Sequence, residues 1–97
     1  MKIKVNEQLR GIDGKPIING SNPPMTLKEI CITSILTPME GDNEQAKYKK
    51  YEIYIKLRDA KAEADLSIED LAIIKKGIGK FQPPLILGQC FDLLENK

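Results

Sequence analysis

The sequence predicts a mainly α protein: an irregular four-helix bundle preceded by a short N-terminal β-hairpin or extended arm. Helix starts can be placed at Thr26, near Asn43, at Ser67 and at Pro83-Pro84, whereas period-two alternation is confined to the first residues. The chain has 97 residues, of which 41% are hydrophobic and 30% charged. That is too apolar for wholesale disorder and too charged for a membrane protein. The length suits one domain over 1–97, with residues 1–25 as arm or hairpin and 26–97 as helical core.

In the arm, Ile3 and Val5 alternate with Lys2, Lys4 and Asn6, as in a half-buried strand. Asp13-Gly14 offers a tight turn across which Ile12 pairs with Ile17-Ile18. Pro16 has no N–H for a ladder and belongs at an edge. Asn19-Gly20-Ser21-Asn22-Pro23-Pro24 is a run of turn formers that closes the segment. With few large apolar residues, the arm is expected to be weakly anchored.

Thr26-Leu27-Lys28-Glu29 has the capping-box pattern of a first helix. Leu27, Ile30, Cys31, Ile35 and Leu36 form its stripe, although the β-branched Ile30, Ile32, Thr33 and Ile35 pull towards strand. Pro38 and Gly41 stop it. The longest helix is expected from about Asn43 to Ala64. At 100° per residue, Tyr48, Tyr51, Ile55 and Ala62 share one stripe, and Ile53, Leu57, Ala60 and Ala64 share the opposite one. A helix with two opposed apolar faces is sandwiched, within the monomer or against a partner. Between the stripes, one ridge mixes Lys49, Glu52, Lys56, Asp59 and Glu63. The other carries Lys47, Lys50, Arg58 and Lys61 around Tyr54.

Ser67 is a good N-cap, with Glu69 and Asp70 at the positive end of the helix dipole and Leu66 and Leu71 spaced as a hydrophobic staple. This helix is expected to reach about Lys76, with Ile68, Leu71, Ala72, Ile74 and Ile78 inward and Gly77 or Gly79 as the left-handed cap. The last helix starts at Pro83-Pro84 and runs to Leu93 or Leu94. Its apolar content places it at the centre of the fold or in an oligomer contact, with Gly88 admitting a neighbouring backbone.

Function is narrowed mainly by exclusion. No apolar run reaches the about 20 residues of a membrane span, and the N-terminus turns polar too early for a signal peptide. With no histidine, Ser-His-Asp and Cys-His machinery cannot be assembled. Asp13, Glu29, Glu52, Asp59, Glu63, Glu69, Asp70 and Asp92 show no motif that gathers them as acid and base. Cys31 and Cys90, the only cysteines, read as buried thiols in a reducing cytoplasm. Two sulfurs without an imidazole do not close a zinc site. No enzyme activity, cofactor or metal is expected.

One motif tests a nucleic-acid role. Lys75-Lys76-Gly77-Ile78-Gly79-Lys80 resembles the Gly-hydrophobic-Gly turn of a helix-hairpin-helix, where exposed amides and lysines hold a phosphate. Against it, Phe81-Gln82-Pro83-Pro84 separates the second glycine from the next helix. A glycine cap followed by a linker explains the same residues.

The layout of Gly11-Ile12-Asp13-Gly14-Lys15-Pro16, then a Thr-Leu-led helix, a Lys/Tyr-rich helix running into Asp65-Leu66-Ser67-Ile68-Glu69-Asp70, and Pro83-Pro84-Leu85-Ile86-Leu87-Gly88-Gln89 resembles a group of small phage- or prophage-encoded proteins of unknown function. That resemblance implies a host-cell cytoplasmic setting and a binding role in assembly or in interference with a host system. The group has no assigned active site, so no functional residues carry over.

The lead expectation is a non-enzymatic protein–protein interaction module that forms a homodimer and docks on a protein partner. Its surface would be Tyr48, Tyr51, Tyr54 and Ile55 with Lys47, Lys50, Arg58 and Lys61. The alternative is a DNA-binding accessory protein using the same ridge and Lys75, Lys76, Gly77, Gly79 and Lys80. Nucleic acid ranks below protein as a partner, because the net charge is only +1.

Overall fold

A computed structural model describes residues 1–17 and 25–95. The elements run β1 (Lys2–Lys4), α1 (Leu27–Leu36), α2 (Glu44–Asp59), β2 (Glu63–Asp65), α3 (Ile68–Phe81) and α4 (Pro84–Leu94). The protein is mainly helical, with α1 packed against both α2 and α3, and α4 against α3. The turn run at 19–24 and the hairpin position Ile18 lie outside the described residues.

The arm is anchored far more firmly than expected. Ile3, Val5 and Leu9 are fully buried and join one core with Leu27, Ile53, Leu57, Ile74, Ile78 and Leu94. The ladder partner of β1 is β2, antiparallel with Ile3 opposite Ala64. A tight turn does form around Gly14, whose φ of 77° is left-handed, but it closes only an isolated bridge between Arg10 and Pro16. Ile12 does not pair across that turn. It stands at the tip, 97% exposed.

The same pairing explains why α2 stops at Asp59 and not at Ala64. Alanine, lysine and glutamate at 60–64 favour helix locally, but distant contacts override that preference. Ala60 is extended (φ −70°, ψ 138°). The Lys28 ammonium donates to the carbonyls of Arg58 (3.1 Å) and Ala60 (2.7 Å), satisfying helix-end acceptors from another helix. Asn6 Nδ2 then donates to the Lys61 carbonyl and the Val5 amide to that of Ala62, drawing the chain into β2.

Helix α3 departs in the opposite direction and continues through both glycines to Phe81. Its crossing with α1 is so close that a Cβ at Gly77 would lie 3.0 Å from the Ser34 carbonyl oxygen. Gly77 is therefore a packing residue inside a helix and not a cap. Ser67 caps α3 as expected, and Leu66 and Leu71 are buried. Ile68 is 78% exposed and Ala72 is exposed, so neither faces inward.

Residues 27–36 are helical despite their β-branched content, with Thr26 Oγ1 accepting from the Glu29 amide. Leu36 is nevertheless exposed, off the buried stripe. Pro84 opens α4 at its first turn, where no amide is needed. α4 buries Ile86, Cys90 and Leu94 along one stripe, and α1 takes the central position. No atom approaches within 4 Å of a Cβ built at Gly88, so no backbone nestles there.

Candidate functional site

Asn43 sets the start of α2 by accepting from the Ala46 amide at 2.8 Å. From that register, Lys50, Ile53 and Leu57 face the core. The stripe predicted opposite Ile53 and Leu57 is real over the helical residues and is left open. Tyr48 is 64% exposed and Tyr51 51%, while Tyr54 and Ile55 are half-buried. The rings form a tilted ladder, with centroids 6.1 Å apart for Tyr48 and Tyr51 and 6.2 Å for Tyr51 and Tyr54. The Arg58 guanidinium lies 5.7 Å over the Tyr54 ring. Ala60, Ala62 and Ala64 leave both stripes because they follow the end of the helix.

The predicted basic ridge is not assembled as one strip. Lys47 is exposed beside the tyrosines, but Lys50 is buried and donates to Asp42 Oδ2 at 2.6 Å. That bond, opposed by desolvation, holds the Asp42 carboxyl below its ordinary value. Arg58 pairs with Asp59 at 3.0 Å on the surface. Lys61 lies beyond α2, in the turn before β2. A groove of about 290 Å³ runs alongside, lined by Leu36, Thr37 and Pro38 from the end of α1 and by Lys47 and Tyr51 from α2. Leu36 is 49% exposed there. This groove is absent from the sequence reading, which assigned Leu36 to the core and so removed it from the surface.

At the second predicted site, the glycine turn does not exist. Gly77 is buried, Gly79 lies in the same continuous helix, and the amides there belong to helical hydrogen bonds. Lys75 donates to Glu95 at 3.0 Å and lies over the Phe91 ring, whereas Lys76 and Lys80 are exposed. The geometry thus lacks the nest of free N–H groups that the motif requires.

Another cluster on α2 went unrecognised. Asp70 has no solvent exposure and completes a capping box with Ser67: its Oδ2 accepts from the Ser67 amide (3.1 Å), and its own amide donates to Ser67 Oγ (3.0 Å). Lys56 donates to the same oxygen at 2.7 Å. Lys49 lies 3.3 Å from Oδ1, an ion pair without an aligned hydrogen bond. Burial pushes the carboxyl up, but the Lys56 ammonium, the Ser67 amide and Lys49 outweigh it and hold the pKa at about 2. Asp70 is accordingly ionised, with Oδ2 accepting two hydrogen bonds and Oδ1 held only by the charge of Lys49, the opposite of a poised acid. Ser67-x-x-Asp70 and the seven-residue spacing of Lys49 and Lys56 were the available signals.

Both cysteines are free and buried. Desolvation raises both thiols, Cys90 to about 11, with Cys90 adding to the shift at Cys31. Among the described residues, no group of three or more acids or cysteines is placed to hold a metal, and no helix is long and apolar enough to cross a membrane. Comparison with known proteins finds no matching family model, no similar curated protein and no similar solved structure.

Proposed function

We propose that this chain is a non-enzymatic protein–protein interaction module, cytoplasmic and, from its resemblance to that group, phage-encoded, that self-associates and docks through the tyrosine face of α2. One observation carries the reading: Tyr48 and Tyr51 stand half or more exposed on one helix, and Tyr51 lines a groove with the exposed Leu36. Tyrosines combine large apolar area with low conformational entropy and concentrate where contacts carry binding energy. Contiguous apolar groups left in water by a small domain mark surfaces that become covered in an assembly.

The test is a photo-cross-linking residue introduced in turn at Tyr48, Tyr51 and, as a control, the exposed Lys80 in host cells. Docking through α2 predicts adducts with one protein, or with the chain itself, at the first two positions and not at the third. Equal labelling at all three overturns the reading. Loss of the adducts over about 0.05–0.2 M salt with several log units per log of salt would instead mark a phosphate backbone as the partner.

A further inference from the structure

The exposed stripe of α2 has a symmetry that its charges share. Counted from Tyr51, Tyr48 and Tyr54 lie three residues to either side, Lys47 and Ile55 four, and Glu44 and Arg58 seven. At about 100° per residue, all six fall within about 60° of the Tyr51 direction. The acid lies in the first turn of the helix and the arginine in the last. An antiparallel copy of the same stripe therefore places every unlike end group opposite its complement.

We infer that the occupant of this face is a second copy of the chain, bound through an antiparallel α2–α2 contact whose two-fold axis passes beside Tyr51. This rests on the reading of the tyrosine face as the docking surface. In this register Glu44 faces Arg58 of the partner subunit and Arg58 faces the partner subunit's Glu44, so one contact type is made twice, as a two-fold interface requires. Tyr48 meets Tyr54 of the partner subunit, again twice. Ile55 of the partner subunit comes opposite Lys47, on the rim of the Leu36–Pro38 groove. A parallel arrangement would instead set Glu44 against Glu44 and Arg58 against Arg58. Antiparallel packing also opposes the two helix dipoles favourably. The Arg58–Asp59 pair does not obstruct the exchange: its side chains are 52% and 63% exposed, and such pairs are weakly held.

Sedimentation equilibrium of the full chain, from about 1 μM to about 1 mM, tests this across the usual range of weak to moderate affinities. The wild type is expected to dimerise. Glu44→Arg and Arg58→Glu each convert two attractive contacts into two repulsive ones, and each should raise the Kd about tenfold or more. The Glu44→Arg/Arg58→Glu double variant should return to within about threefold of the wild type. Both positions are exposed, and far-UV circular dichroism confirms that each variant is folded. Independently, Tyr51→Cys at the axis should form a symmetric disulfide under mild oxidation, and Gln45→Cys should not. A dimeric wild type whose double variant stays as weak as the singles overturns the antiparallel register but leaves self-association intact. A monomeric wild type at about 1 mM overturns the inference, while cross-linking to a foreign protein at Tyr48 or Tyr51 would still uphold the docking reading.

Discussion

On the flank of α2 that reaches the start of α3, Lys49 and Lys56 are held by a carboxylate with no solvent exposure. On the opposite flank the rings of Tyr48 and Tyr51 stand in water. A helix serving only its own fold would be expected to place these residue types the other way round. The charged flank is explained within the monomer, since Asp70 caps α3 and ties it to α2. The aromatic flank has no such account. That asymmetry separates what α2 does for the fold from what it offers to a partner.

The largest expected effect falls on the charged flank. Asp70→Ala removes the cap acceptor and the anchor of both lysines, and should lower stability by about 2–3 kcal/mol, read as a shift of the urea midpoint at unchanged m-value. Tyr48→Ala or Tyr51→Ala costing as much would show that the aromatic flank also serves the monomer, and the contrast would fail.

The acid branch of the stability curve sharpens the same point. The Asp70 pKa of about 2 lies below its ordinary value of 3.8, so its stabilisation is present above the unfolded pKa and is lost as pH falls through the folded one. Converted at 1.36 kcal/mol per unit, the loss is about 2 kcal/mol between roughly pH 5 and pH 2. Asp70→Asn keeps an oxygen for the Ser67 amide but has no charge to titrate, and should flatten that branch. An unchanged acid branch in the variant would assign the pH dependence elsewhere. Within the cluster, Lys56→Met should cost about 1 kcal/mol and Lys49→Met about half that, because only Lys56 makes a short aligned bond. The reverse order would mean that the ion pair to Oδ1 is the stronger contact.

Helix beginnings were legible in the sequence because their chemistry is local: Thr26, Ser67 and Pro84 act within one turn of themselves. Two helix ends were not, because groups far along the chain decide them. The end of α2 depends on Lys28 and on β1, and Gly77 lies inside α3 where the Ser34 backbone leaves no room for a Cβ, so it marks a helix crossing and not a helix end. That Tyr48, Tyr51 and Ile55 share a side could be read from periodicity alone, and so could the burial of Ile53 and Leu57 on the other side, whereas Tyr54, assigned to the basic ridge, joins the ladder only through its ring contact with Tyr51. The basic ridge could not, since the partner that buries Lys50 is Asp42, outside the helix and eight residues back. Periodicity says which residues share a side of a helix and is silent about which charges are already taken.

The smallest expected effect on stability is the most informative about function. Truncating Tyr51 removes an exposed ring from the middle of the ladder, and in the monomer this should change the urea midpoint by no more than about 0.5 kcal/mol, the usual scale for surface substitutions. In an assembly the same ring lies at the centre of the covered face, where truncated aromatics commonly cost more than 2 kcal/mol of binding. Unfolding measured at low and at high protein concentration separates the two cases, because dimerisation adds concentration-dependent stability to the wild type that Tyr51→Ala should lack. If wild type and variant show the same concentration dependence, Tyr51 is not at the contact, and the exposed ladder belongs to the monomer surface after all.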